Sequence, residues 1–445
     1  MRSRLLASLA KTFSSLRSSR NFRLYLTGQF VSAAGTWMNV TASSWLVLTL
    51  TGSGAALGVN AALSFGPVLL LGPWGGVLAD RFDKRRILAA TQSCFAVVSL
   101  SMAALVFTDV IAKQTMPGAL WLVYGLSLAA GVITAIDNPA RQSFYVEMVG
   151  EETLTNAVSL NSAAFTGARI VGPAIAGLLI AFAGTAVCFL IDGISYLAVL
   201  AALLAMHASE LHAQKRSTRQ KGHLVAGLKY VWATDELRRP LLIMAVIFTF
   251  VFEWQVLVPL LAEQTFHAGA KEFGLLSAAA GLGSFLGAIA MANRGPSPTM
   301  RRLALFLCGV GVSMAVVAFA PTLAVATLLL VPVGLTAMTF MITGNTMLQL
   351  TSRPEARGRV MALYGVVFLG STPIGAPIVG VVAERIGAPA TFFVSGLLAL
   401  AVGGAVLARG WREDRIARRV VPVVAADAEL AAEAADVELP LSARG

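Results

Sequence analysis

Three ionisable residues, Arg169, Asp192 and Glu253, stand inside long apolar runs of this 445-residue chain. A charge in such a run costs about 3 kcal/mol by membrane-insertion scales unless it is paired or faces water. The chemistry open to these groups is therefore proton exchange and ion pairing. A buried carboxyl can hold a proton and release it when water reaches it, which makes Glu253 the leading candidate for coupling proton movement to another event. A structural ion pair, or a position that reaches the outer water layer, is the alternative for Glu253. Arg169 and Asp192 are further coupling candidates, and for Asp192 a structural bond to Arg169 is favoured over contact with a substrate. Asp137 opens the stretch DNPARQ, ahead of Pro139 and Arg141, and reads either as a gating, proton-linked element or as a helix cap. Gln29, Trp37 and Asn39 in the first apolar run, with Trp254 and Gln255 beside Glu253, offer aromatic and amide groups to a large, partly apolar solute; helix packing or a membrane-interface position is the alternative for each taken singly.

Other chemistries lack their residues. There is no HExxH or GxSxG, and the Gly-rich pieces GSGAALG (52–58) and GLGSFLG (281–287) lack the GxxxxGK[ST] of a phosphate loop. Cys94, Cys188 and Cys308 fall in three different apolar segments, and the histidines at 207, 212, 223 and 267 have no metal-ligand spacing. No catalytic site, metal or cofactor is expected. The net charge of +11 does not make a nucleic-acid surface, because the basic residues form short clusters between apolar segments. With 57% hydrophobic and 13% charged residues, against about 25% charged in soluble domains, the chain reads as an all-α membrane protein.

The elements that must position these residues follow from hydropathy. Twelve spans are predicted, near 24–50, 55–79, 87–108, 118–137, 158–182, 185–206, 240–262, 273–292, 302–319, 322–345, 360–384 and 390–408. The amino-terminal segment, alternate loops and the tail hold 30 of the 34 Lys and Arg residues, while the other loops hold Lys113, Lys271 and Arg385. The basic-rich side is the cytoplasmic one by the positive-inside tendency, which puts both termini there. The domain boundaries become 1–23 (cytoplasmic segment), 24–206 (six-helix bundle), 207–239 (central loop), 240–408 (second six-helix bundle) and 409–445 (cytoplasmic tail).

The two bundles repeat one design. At an offset of 203, residues 160–193 lie on 363–396, and Leu160, Phe165, Gly167, Gly172, Ile175, Gly177, Gly184, Phe189 and Gly193 meet the same residue type. A worn copy of GGVLADRFDKRR (75–86) recurs as GAIAMANRGPSPTMRR (287–302). Small residues allow close helix approach where lipid supplies no hydrophobic drive.

Over residues 20–408 the chain resembles the major facilitator superfamily of transporters. Gly76, Asp80, Arg81, Lys84, Arg85 and Arg86 match its loop motif, with Asp83 where glycine is common. The resemblance implies two pseudo-symmetric six-helix bundles and a role for Asp80 as a gate latch. Asp80 ends the second span, where the helix dipole disfavours an anion. Compensation comes from Arg81 or the 84–86 cluster or, as the resemblance implies, from the start of the eleventh span near Arg359 and Val360. A purely topological role for these charges is the alternative. SLNSAAFTGARIVGPAIAG (159–177) is similar to the antiporter motif, with Ser159 and Ala168 at two glycine positions, followed by Gly172, Pro173, Ala176 and Gly177. That similarity implies export in exchange for protons, driven by the proton gradient. DNPARQ (137–142), ARIVGPAIAG (168–177) and RGRVMALYGVVFLGSTPIGAP (357–377) resemble bacterial drug and siderophore exporters of the enterobactin-exporter type. The expectation is a monomeric cytoplasmic-membrane protein exporting a small, partly apolar drug or siderophore by proton antiport and alternating access. Ion-coupled uptake is the alternative within transporters; a membrane-embedded enzyme or a scaffold is the alternative outside them.

Overall fold

Helices satisfy their own backbone polar groups, as a chain in lipid must, and no strand occurs among the described residues. The structure is a computed structural model that describes residues 14–111, 118–212, 223–294 and 298–409. Its long helices are α1 (Arg20–Thr51), α2 (Gly54–Arg81), α3 (Lys84–Phe107), α4 (Ala119–Gly150), α5 (151–183), α6 (Thr185–Leu204), α7 (Asp235–Thr265), α8 (Ala270–Arg294), α9 (Met300–Val317), α10 (Leu323–Thr351), α11 (Ala356–Ile386) and α12 (Ala388–Arg409). Ten are long and apolar enough to cross a membrane; α5 adds the shorter apolar stretch Gly167–Ala183, and α1 is more polar. Lys113, residues 213–222 and the tail beyond 409 lie outside the described residues.

Local signals explain the helix starts. Ser19, Ser53, Asp83, Thr299 and Thr322 each accept a bond from a first-turn backbone N–H. Asp83, the departure from the family pattern, is thus the cap of α3. The predicted boundary that differs most is the end of α4, which does not fall at 137 but at Gly150, where φ is +70°. Its added turns bury Phe144, Tyr145 and Met148, with Tyr25 ring centroids 6.1 Å from Phe144 and 6.0 Å from Tyr145. Asp137 is consequently mid-helix, which removes the capping role. α10 likewise runs past the predicted 345 to Thr351.

Packing follows the repeat. Pairs α2·α4, α3·α6 and α1·α5 recur six helices later as α8·α10, α9·α12 and α7·α11. Equivalent glycines make equivalent contacts. A Cβ at Gly172 would fall 2.6 Å from Trp37 Cβ on α1, and one at Gly375 would fall 1.8 Å from the Thr249 carbonyl on α7. Gly193 meets α3 at Leu100, and Gly396 meets α9 at Gly311. Gly184 and Gly387 turn the chain between neighbouring helices at φ +81° and +83°, where a side chain would be strained.

Proline and glycine cooperate between α2 and α4. Pro139 and Pro67 free the carbonyls of Ala135 and Leu63 from their helix ladders. Gly75 lets the first come close, a Cβ there falling 2.0 Å from its oxygen, and Gly131 does the same for the second at 2.7 Å.

The halves touch through α2·α11 and α5·α8, again a repeat-related pair. Cβ atoms at Gly177 and Gly380 would fall 2.0 Å from the Gly274 Cα and 2.2 Å from the Gly54 carbonyl oxygen. Trp45 stacks on Phe273 at 5.3 Å nearby. These contacts close the end of the bundle that bears the loops poor in basic residues.

Gly334 tests the packing argument, because a Cβ there falls 2.0 Å from the Ala280 carbonyl oxygen. G334A is expected to lower thermal stability in detergent by about 1–3 kcal/mol. G125A, at a position with nothing within 4 Å, should shift it by less than about 0.5 kcal/mol.

Candidate functional site

Between the halves lies a cavity of about 450 Å³, walled by α1, α5, α7, α8, α10 and α11. From α5 come Asn161, Phe165, Arg169 and Pro173, four residues apart and therefore on one helix face. From α1 come Trp37, Thr41 and Ser44. The guanidinium of Arg169 sits 5.1 Å over the Trp37 ring, and the Trp37 ring meets Phe165 edge-on at 5.9 Å. On the facing wall Tyr364 stacks with Phe368 at 6.1 Å, and Phe252 lies 6.1 Å from Trp254.

Of the sequence-derived binding candidates, Trp37, Trp254 and Gln255 line this cavity. Gln29 is buried outside it. Asn39 also lies outside the lining, because its amide is engaged elsewhere: Nδ2 donates to Asp192 Oδ2 at 2.8 Å and to Ser99 Oγ at 3.1 Å. The expected bond between Asp192 and Arg169 is not formed. Asp192 is fully buried and accepts from Asn39 and, at 2.6 Å, from Ser99. Two neutral donors, from α1 and α3, meet its Oδ2, while Oδ1 has no hydrogen-bond partner.

Glu253 stands where α7 leaves helical geometry, between the segments Asp235–Phe250 and Trp254–Leu260. It is 2% exposed, and its Oε1 has no hydrogen-bond partner. Gly375 backs it closely, a Cβ there falling 2.8 Å from Oε1. Glu253 adjoins cavity residue Trp254 in the chain without itself lining the cavity.

Asp137 belongs to a different cluster. It accepts from Thr91 Oγ1 at 2.7 Å, from Gln92 Nε2 at 2.9 Å and from Arg141 Nε at 2.9 Å. The loop motif ties helix ends together: Lys84 meets Glu147 of α4 at 2.5 Å, and Arg85 donates to the Leu203 and Leu204 carbonyls at the end of α6, at 2.7 and 3.2 Å. Cations at that helix end also complement its dipole. Gly76 is buried, whereas Asp80, Arg81 and Arg86 are exposed. In the antiporter-like motif, Ala168, Gly172, Ala176 and Gly177 are buried contact positions and Pro173 reaches the cavity.

Sequence reasoning missed Asn161, Phe165, Tyr364 and Phe368 as cavity residues. For the first two the signal was present, in their spacing of four from Arg169. For Tyr364 and Phe368 it was not, since nothing in the sequence marks which face of α11 turns to the other half.

Repeat-related halves around a central cavity, closed at one end, define a secondary transporter. The chain belongs to the transmembrane secretion effector family of the major facilitator superfamily, whose sequence pattern matches residues 10–434. It is 23% identical to the staphyloferrin A transporter of Staphylococcus aureus, over 85% of this chain and 94% of that one. It is 28% identical to the multidrug efflux pump Tap of Mycolicibacterium fortuitum, covering 85% and 93%. With the enterobactin exporter EntS of Shigella boydii the identity is 26%, covering 87% and 91%. The fold matches that of a bacterial homologue of the lysosomal transporter Spinster, solved inward-facing and unoccupied, at TM-score 0.67 and 13% identity over 87% and 96% of the two chains. These matches are to transporters, which places this multi-pass membrane protein among transporters and not among enzymes.

Removal of Asp137 tests its structural part. D137A leaves the half-buried Arg141, and the buried donors Thr91 and Gln92, without their acceptor and is expected to cost about 1–3 kcal/mol in detergent unfolding. The double variant D137L/R141M should recover part of that loss.

Proposed function

We propose that the chain is a proton-driven exporter of a small, partly apolar molecule, a drug or siderophore, from the cytoplasm across the cell membrane. The observation that carries this reading is the cavity between the halves with Glu253 buried beside it at the break in α7. With the basic-rich loops cytoplasmic, as the positive-inside tendency places them, the glycine-closed end faces outward and the cavity serves the cytoplasm. Substrate then enters from inside, the outer contacts α2·α11 and α5·α8 open, and the cytoplasmic ends close. Glu253 is the proton carrier in this scheme. A carboxyl sealed against α11 is at rest in bilayer surroundings when neutral, and it releases its proton once rocking admits water. The names of the staphyloferrin A transporter, Tap and EntS support export of such compounds. No cofactor is required, one chain suffices, and both termini lie in the cytoplasm.

Asp80, exposed at the end of α2, is the latch that meets the start of α11 when the cytoplasmic side closes. Helix 223–233 already packs on that start, where a Cβ at Gly227 would fall 3.0 Å from Arg359 Cβ.

Transport into inverted membrane vesicles tests the scheme. Accumulation of exported dyes should vanish with a protonophore; accumulation unchanged in its presence would refute proton coupling. E253Q should lose gradient-driven accumulation while still binding substrate, and D80N should slow transport by about 5-fold or more.

A further inference from the structure

The geometry points to an organic anion as the transported molecule: an aromatic or partly apolar body bearing a carboxylate or similarly acidic group, held by Arg169 and the Trp37 indole. This names the substrate class of the proposed exporter and rests on that reading for the direction of transport.

Among the described residues the cavity lining contains one formal charge, and it is positive. Arg169 lines it, and no Asp or Glu does. None of the ion pairs among the described residues includes Arg169. The two acids that might have neutralised it are placed otherwise: Asp192 is held by Asn39 and Ser99, and Glu253 lies outside the lining. The contact Arg169 does make, over the Trp37 ring at 5.1 Å, is weaker than the cost of a lone cation at that depth. Arginine cannot relieve the cost by losing its proton. A second donor points the same way, since Trp37 Nε1 is buried without an acceptor. A guanidinium fork and an indole N–H together suit a carboxylate, which accepts two parallel bonds from arginine. The flanking rings of Phe165, Phe252, Tyr364 and Phe368 suit an aromatic body. A cationic ligand would meet a like charge in a medium of low dielectric constant.

Two dansyl probes with one fluorophore and opposite charge, dansylglycine and dansylcadaverine, test the inference on the purified full chain through energy transfer from tryptophan. The wild type is expected to bind dansylglycine about 10-fold or more tightly than dansylcadaverine. R169Q should remove that preference by weakening dansylglycine alone, and R169K, which keeps the charge without the fork, should fall between. The wild-type preference needs no variant, so misfolding of R169Q cannot hide the answer. No binding of the anion, equal or tighter binding of the cation, or equal loss of both probes in R169Q overturns the inference. Inverted vesicles separate it from the export reading. Arg169-dependent anion binding without gradient-driven flux of either probe would sink export and keep the inference. Gradient-driven flux of dansylcadaverine but not of dansylglycine would do the reverse.

Discussion

Two helix backbones in lipid can approach only as far as their side chains allow, and no hydrophobic effect pulls them together. The fold depends on where glycine lifts that limit. Gly177 against Gly274 and Gly380 against Gly54 bring the two halves into backbone contact at one end. No ion pair among the described residues crosses there. Contacts of this kind are short-ranged, and beside them Trp45 stacks on Phe273 and Gln264 Nε2 donates to the Gly52 carbonyl at 3.1 Å. Within each half the glycines are set differently. Gly75 and Gly131 receive carbonyls freed by Pro139 and Pro67, and the Asp137 cluster lies just beyond on α4. Each six-helix unit is held by polar and steric contacts together, whereas the described contacts between units are mainly steric.

Buried charge divides along the same line. Asp137 and Asp192 have donors from neighbouring helices of their own half, and their bonds hold α3, α4 and α6 in fixed register. Arg169 and Glu253 have no such partners, and both sit at or beside the surface between the halves. Asp137 is bonded through both carboxylate oxygens, whereas Asp192 is bonded through Oδ2 alone, its Oδ1 having no partner, and so stands between Asp137 and Glu253. An unpaired ionisable group in a membrane is tolerated only when something else, a ligand or a proton, completes it for part of the time.

Much of this was legible before any coordinates. The offset of 203 paired Gly172 with Gly375, Gly177 with Gly380, and Gly193 with Gly396, and each pair makes corresponding contacts in the two halves. Hydropathy predicted twelve helices, and the alternation of basic loops agreed with that count. The end of α4 was misread because Asp137, Pro139 and Arg141 look like a boundary; only the burial of Phe144, Tyr145 and Met148 shows why the helix continues. The partner of Asp192 was misread for a related reason. A sequence advertises opposite charges, whereas an amide at 39 and a hydroxyl at 99 carry no visible preference for an acid until folding brings them together. Asn39 was lost from the cavity by the same error.

The repeat also shows where the halves ceased to be copies. Gly172 presses on α1 beside Trp37, and its counterpart Gly375 presses on α7 between Thr249 and Glu253. In the first half α1 is an unbroken helix and the contact carries an indole under a guanidinium. In the second the helix breaks and the contact carries a buried carboxyl. A common scaffold therefore presents a fixed cation on one side and a titratable acid on the other, both near the same cavity. Under the proposed reading these are the substrate arm and the proton arm. Each arm is gripped by its equivalent glycine within its own half, α5 on α1 and α11 on α7, so the cation and the acid are each fixed to the half that carries them.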